Sequence, residues 1–168
     1  MASSMPQQNY KTTSSPKGQK FAADRMLGRL TKWLRVLGLD VIYGPHLSGY
    51  GLIRAARREN RLILTRDQGL KKKQPPEFIF IESDCYADQL RQVLAACQID
   101  CAGRLFTRCL ECNTVLQPMA KEAIKDRVPP YVFSTQEKFS RCPDCRRIFW
   151  PATHQERMLE ELRKFGLL

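Results

Sequence analysis

The chain has 168 residues, 43% of them hydrophobic, which suits one ordinary domain or a compact domain with a small module and argues against wholesale disorder. Its 28 Lys and Arg outnumber 17 Asp and Glu, and the net +11 is spread as +3 over residues 1–20, +4 over 21–100 and +4 over 101–168. That balance points to a polyanion partner, nucleic acid before membrane, with a merely basic soluble protein as the plain alternative. No apolar run approaches the ~18 residues that span a bilayer, and the N-terminus lacks the apolar stretch of a secretory signal.

Residues 1–19 are rich in Ser, Gln, Thr and Pro and read as a disordered tail or linker. From Lys20 the pattern changes. Residues 20–23 predict a strand ending at Asp24, and 26–37 a helix closed by Gly38. On that helix Leu27, Leu30, Trp33, Leu34 and Leu37 share one side, which makes Trp33 a core residue, and Arg25, Arg29, Lys32 and Arg35 share the other. A strand over 41–43, a helix over 52–59 and a strand over 61–64 follow, the last running into Thr65-Arg66-Asp67. A fourth strand over 78–81 leads through Glu82-Ser83-Asp84 to a helix over 87–97. Alternating strands and helices, with crossovers long enough for parallel pairing, predict an α/β three-layer domain over residues 20–101. Residues 102–168 predict a small zinc module, with strands at 131–133 and 148–150 and a closing helix at 155–165.

Four of the seven cysteines stand in two Cys-x-x-Cys turns, Cys109-Leu-Glu-Cys112 and Cys142-Pro-Asp-Cys145. Two such knuckles make the tetrahedral sulfur cage that Zn²⁺ prefers, and a saturated cage is structural. A redox pair is the competing reading, but a thioredoxin-like site needs only one such motif, at a helix start after a strand. Cys85, Cys97 and Cys101 are expected to be free thiols. Odd cysteine number and knuckle spacing place the chain in a reducing compartment, cytoplasm or nucleus.

Asp24, Asp67 and Asp84 each follow a predicted strand. In open parallel sheets functional groups gather at the carboxyl ends of strands, so these acids are candidates for one Mg²⁺ or Mn²⁺ site with nuclease chemistry. The same spacing admits a second reading: Asp after a strand is a common turn former or helix N-cap.

Four motifs carry a family resemblance. Phe21-Ala-Ala-Asp24-Arg-Met-Leu-Gly28-Arg-Leu-Thr-Lys-Trp33-Leu-Arg35-Val-Leu-Gly38 and Arg61-Leu-Ile-Leu-Thr65-Arg66-Asp67 resemble the signatures of the mut-seven C-terminal ribonuclease family. The two knuckles resemble that family's fused zinc ribbon, and Trp150-Pro-Ala-Thr-His154 its closing motif, except at Ala152. The resemblance implies a PIN-like domain with a mostly parallel sheet, a C-terminal zinc ribbon and hydrolysis of RNA at a carboxylate-bound Mg²⁺ or Mn²⁺. It carries metal binding onto Asp24 and Asp67, places Asp84 where a further acid is often found, and gives His154 a structural or substrate role. It departs just before the second helix, where the family usually has an acid and this chain reads Leu47-Ser48-Gly49-Tyr50-Gly51, with no Asp or Glu between Asp40 and Glu59. Two functions follow: a metal-dependent ribonuclease, or a non-catalytic RNA-binding module that keeps the fold. In both, Arg25, Arg29, Lys32, Arg35, Arg66, Lys71, Lys72 and Lys73 are candidate RNA contacts, with a solvated surface as the alternative. Phe149 and Trp150 either stack on bases or pack within the ribbon.

Overall fold

The computed structural model describes residues 19–73, 75–100 and 103–168. Residues 1–18 of the tail expected over 1–19, and the free thiol expected at Cys101, lie outside the described residues. Strands β1 (Lys20–Ala23), β3 (Leu62–Thr65) and β4 (Phe78–Phe80) form a sheet in that order, and β2 (Asp40–Ile42) is a further short strand. β1 runs parallel to β3 and β3 to β4, with Phe21 opposite Leu62 and Ile63 opposite Phe78. Strands covered on both faces read as unbroken apolar runs, and Phe21-Ala-Ala and Leu62-Ile-Leu-Thr are buried throughout. Among the described residues no helix is long and apolar enough to cross a membrane.

The chain divides into two compact units, one ending its first segment at Leu27 and resuming at Tyr43–Asp100, the other made of Gly28–Ile42 and Cys101–Leu168. The first holds β1, β3 and β4 with helices α2 (Gly49–Glu59), α3 (Gln68–Lys71) and α4 (Tyr86–Cys97). Leu52, Ile53 and Ala56 of α2 and Ala87, Leu90, Val93 and Leu94 of α4 are buried. Helix α2 begins three residues earlier than its apolar spacing predicts. The Ser48 carbonyl accepts the amides of Gly51 and Leu52, so the turn closes despite two glycines of poor helix propensity.

The second unit holds α1 (Gly28–Val36), β2, the strands β5 (Gln117–Met119), β6 (Phe139–Arg141) and β7 (Ile148–Phe149), and helices α5 (Pro130–Thr135) and α6 (Thr153–Lys164). Helix α1 ends as predicted. Gly38 sits at φ +77° and donates to Arg35 O, while Leu39 donates to Leu34 O, the paired bonds of a left-handed glycine cap. A side chain at position 38 would also meet Arg104 O at 2.2 Å, so two independent constraints demand glycine.

The ribbon strands β5, β6 and β7 pair antiparallel in that order. One expectation fails here: residues 131–133 are helix α5, not a strand. Pro130 takes the first helical position, where a missing N–H costs nothing, and Phe133 donates back to Pro129 O. The turn sets Val132 and Phe133 against the ribbon core of Ile124, Val128 and Phe139, so packing overrides the strand propensity of Tyr-Val-Phe.

Candidate functional site

The carboxyl ends of β1 and β3 bring Asp24, Thr65 and Asp67 together. Asp24 is 3% exposed, yet its charge is well solvated by protein. Its Oδ1 accepts the Met26 amide at 2.7 Å, and its Oδ2 accepts the Thr65 hydroxyl at 2.5 Å and the Arg66 amide at 2.8 Å. Charge-assisted bonds of this kind are what permit a buried carboxylate. The Thr65 hydroxyl also accepts the Asp67 amide at 3.0 Å, so one side chain ties both acid-bearing loops. Thr65 stands in the run Arg61-Leu-Ile-Leu-Thr65-Arg66-Asp67, where its spacing alone signals no role.

Asp67 caps α3, its Oδ1 accepting the Gly69 amide at 2.8 Å. The cap reading therefore holds for Asp67, and it engages one of two carboxylate oxygens. Asp24 and Asp67 line a cavity of about 370 Å³ together with Arg25, Ser48, Gly49, Thr65 and Lys73. Lys73 reaches the start of α2: its Nζ lies 3.2 Å from where a Cβ on Gly49 would stand and 4.9 Å from the Tyr50 ring centre. The cavity is thus acidic on the strand side and basic at the helix start.

The other predicted residues scatter. Asp84 does not join the two acids in a metal cluster; it is exposed and pairs with Arg66 at 2.5 Å, and the N-cap position of α4 falls on Cys85, one residue later. Lys71 lies over the Phe80 ring at 3.7 Å, and Lys72 is exposed. Arg29, Lys32 and Arg25 are exposed, as is His154 in the first turn of α6. Cys97 is a half-buried thiol, pushed up to about 11 by desolvation, which suits an inert structural residue.

Arg35 overturns its expectation of an exposed phosphate contact. It is 5% exposed. Its Nε and Nη2 donate to Val41 O at 3.1 and 2.8 Å, and its Nη1 donates to Leu110 O at 2.7 Å and Glu111 O at 2.8 Å. Burial pulls its pKa below the ordinary value, against the opposing pull of Cys109, Glu111, Cys112 and Asp40. The guanidinium fork therefore grips the peptide of the first knuckle. Asn113 reinforces the contact, accepting from the Val41 amide at 2.9 Å and donating to Asp40 at 2.8 Å.

The four knuckle cysteines converge, with Sγ atoms all within 4.8 Å of one another. Among the described residues this is the only group of three or more His, Cys, Asp or Glu side chains placed to share an ion. The knuckles are built alike. Cys109 N–H donates to Thr114 O and Asn113 N–H to Cys109 O; Cys142 N–H donates to Arg147 O and Arg146 N–H to Cys142 O. Asn113 and Arg146 hold equivalent left-handed positions at φ +68° and +62°. Cys109 and Cys145 Sγ stand 3.7 Å apart. Tetrahedral zinc with bonds of about 2.3 Å requires sulfur edges of roughly 3.8 Å, so the cage fits. The Arg147 amide lowers the Cys145 thiol to about 7, while burial raises Cys109.

These features define a class: a mixed α/β protein with carboxylates at its parallel strand ends and a four-cysteine cluster able to hold a metal such as zinc. The profile of the Mut7-C RNAse domain matches residues 19–162, and the chain belongs to that family. Neither the curated proteins nor the solved structures contain a match to it. Membership makes the function ribonuclease-type and RNA the implied substrate.

Proposed function

We propose that this chain is a metal-dependent ribonuclease of PIN-like fold whose reaction runs in the cavity of Asp24 and Asp67. The observation that carries the reading is the meeting of these two carboxylates at the ends of β1 and β3 in a cavity also lined by Arg25 and Lys73. The donor set suits Mg²⁺ or Mn²⁺, hard ions that take one or two carboxylates and complete their shell with water and substrate phosphate. Such an ion supplies polarisation of the phosphodiester and a lowered pKa for water. The chain's own residues do the rest. Thr65 and the amides of Met26 and Arg66 hold Asp24 in one orientation. Lys73 and Arg25 place positive charge where a phosphate backbone enters. Asp84 serves indirectly, holding Arg66. In the ribbon Cys109, Cys112, Cys142 and Cys145 hold structural zinc, which requires a reducing setting such as cytoplasm or nucleus.

One observation favours the non-catalytic alternative: the cavity wall at Ser48 and Gly49 carries the Lys73 ammonium and no acid. A single assay decides. Purified protein is incubated with single-stranded RNA and Mn²⁺ or Mg²⁺, alongside Asp24→Asn and Asp67→Asn. Metal-stimulated cleavage lost in both variants supports the nuclease; salt-sensitive binding with no cleavage supports the binding module.

A further inference from the structure

The ribbon sheet has two faces of different chemistry. Met119 pairs with Phe139 and Arg141 with Ile148, and Met119, Phe139 and Ile148 pack into the core around Ile124 and Val128, against which Trp150 also packs while it borders a neighbouring cleft. Ser140, paired to Phe149, lies on the opposite face, as directly opposed residues must. Lys138, immediately before β6, borders the same cleft as Ser140. This outer face borders a cleft of about 140 Å³, completed by Phe106, Trp150 and Gln155.

Three features of the cleft point to a ligand. Its size is well below the about 300–1,000 Å³ of a pocket for a drug-sized molecule, and suits one planar ring system. Its walls combine half-buried aromatic rings with a hydroxyl, an amide and an exposed ammonium. Phe106, moreover, stands at φ +56°, a left-handed conformation that a bulky residue rarely adopts. The Phe106 amide bond to Val36 O at 2.8 Å holds it there, and its side chain lines the cleft. Backbone strain retained beside a binding surface is a recurring sign of function.

We propose that this cleft is a base-binding subsite for one nucleotide of single-stranded RNA. The base stacks on Phe149 and Phe106 beside Trp150, Ser140 and Gln155 meet its polar edge, and Lys138 neutralises the adjoining phosphate. Stacking platforms of this kind read single strands with little sequence preference. The choice of a polyanion over a peptide rests on Lys138 in the cleft and on the chain's net charge of +11. The inference rests on the reading of RNA as substrate, but not on catalysis.

The test uses the full zinc-loaded chain without Mg²⁺ or Mn²⁺ and a fluorescein-labelled oligouridylate, with binding followed by anisotropy and by tryptophan emission. Phe106→Gly is the informative variant: it removes the ring while giving the backbone the residue its φ prefers. Phe149→Ala removes the second ring, and Lys138→Gln removes the charge at an exposed position. The proposal expects RNA to quench Trp150 emission and each ring variant to lose roughly 5- to 150-fold in affinity, the range of base–aromatic stacking. Lys138→Gln is expected to flatten the salt dependence. Unchanged affinity in Phe106→Gly and Lys138→Gln, with circular dichroism showing both folded, overturns the subsite. If such a protein still cleaves RNA with Mn²⁺, the nuclease reading stands without the cleft. Ring-dependent binding without any metal-stimulated cleavage leaves the cleft standing and sinks the nuclease reading. Capture of a proline-rich or aromatic peptide by the cleft in competition with RNA, with no RNA effect on Trp150, likewise overturns it.

Discussion

The acid cavity and the cysteine cluster both gather groups that repel one another when charged, and they manage that repulsion in opposite ways. Asp24 disperses its charge into one hydroxyl and two amide donors, and Arg25 and Lys73 line the same cavity. The four sulfurs crowd within 4.8 Å, with amide help such as Cys112 N–H to Cys109 Sγ at 3.5 Å. A hard carboxylate finds ordinary partners in a folded chain; four soft thiolates find their match in one soft-tolerant cation. Asp24 and Asp67 are held by donors of the chain itself, whereas four sulfurs at this spacing suit one shared metal ion.

The sharpest way to break that contrast is to deny the four cysteines the zinc proposed for them. Chelation, or Cys109→Ser with Cys142→Ser, should abolish cooperative unfolding of the ribbon, since structural zinc contributes on the order of 10 kcal/mol in small metal-held modules. Near-ultraviolet circular dichroism and hydrogen exchange at 104–150 would show it. Falling pH works in the same direction: thiols must lose protons to hold the metal, so acid returns protons to sulfur and hastens zinc release. Next comes Arg35→Met. It strips the carbonyls of Val41, Leu110 and Glu111 of their donor, at an expected cost of about 3–5 kcal/mol in urea denaturation. A faster zinc loss to chelator, unrelieved by Arg35→Lys, would distinguish the fork from simple charge.

Smaller effects sharpen the other half. Thr65→Val should cost about 1–2 kcal/mol, because the Asp67 amide and Asp24 Oδ2 both lose a partner, with Thr65→Ser restoring most of it. Asp67→Asn should change stability by less than about 1 kcal/mol while lowering metal-stimulated RNA cleavage at least about 100-fold. Asp84→Ala should be the mildest: its carboxylate is 90% exposed, so the pair with Arg66 is worth about 0–1 kcal/mol. A cleavage loss as large as that of Asp67→Asn would instead restore Asp84 to the metal site.

Much of this was legible in order along the chain. Gly38 announced the end of α1, alternation of apolar runs announced β1, β3 and β4, and the knuckle spacing announced the cage. Short strands at Gln117–Met119 and Phe139–Arg141 were not legible, since three residues leave no period to read and their pairing partners lie far along the chain. Tyr131-Val132-Phe133 misled because strand propensity is weaker than the combined effect of a leading proline and a nearby apolar core. Arg35 misled for a different reason. Helical spacing put it on a polar stripe, and only the approach of the first knuckle turned that stripe into an interior.

Local chemistry alone decides what each residue is able to do: a Cys-x-x-Cys turn aims two sulfurs together, and an aspartate after a strand has an oxygen for a cap or a cation. Which of those capacities is used depends on what arrives from elsewhere. Asp67 and Asp84 have the same sequence setting, yet β3 carries one beside Asp24 while Arg66 claims the other. Arg35 and Lys32 lie on the same helix, yet one is swallowed by carbonyls and the other meets water. The physical reason is that hydrogen bonding and burial are set by partners far along the chain, whose arrival a one-dimensional pattern does not encode.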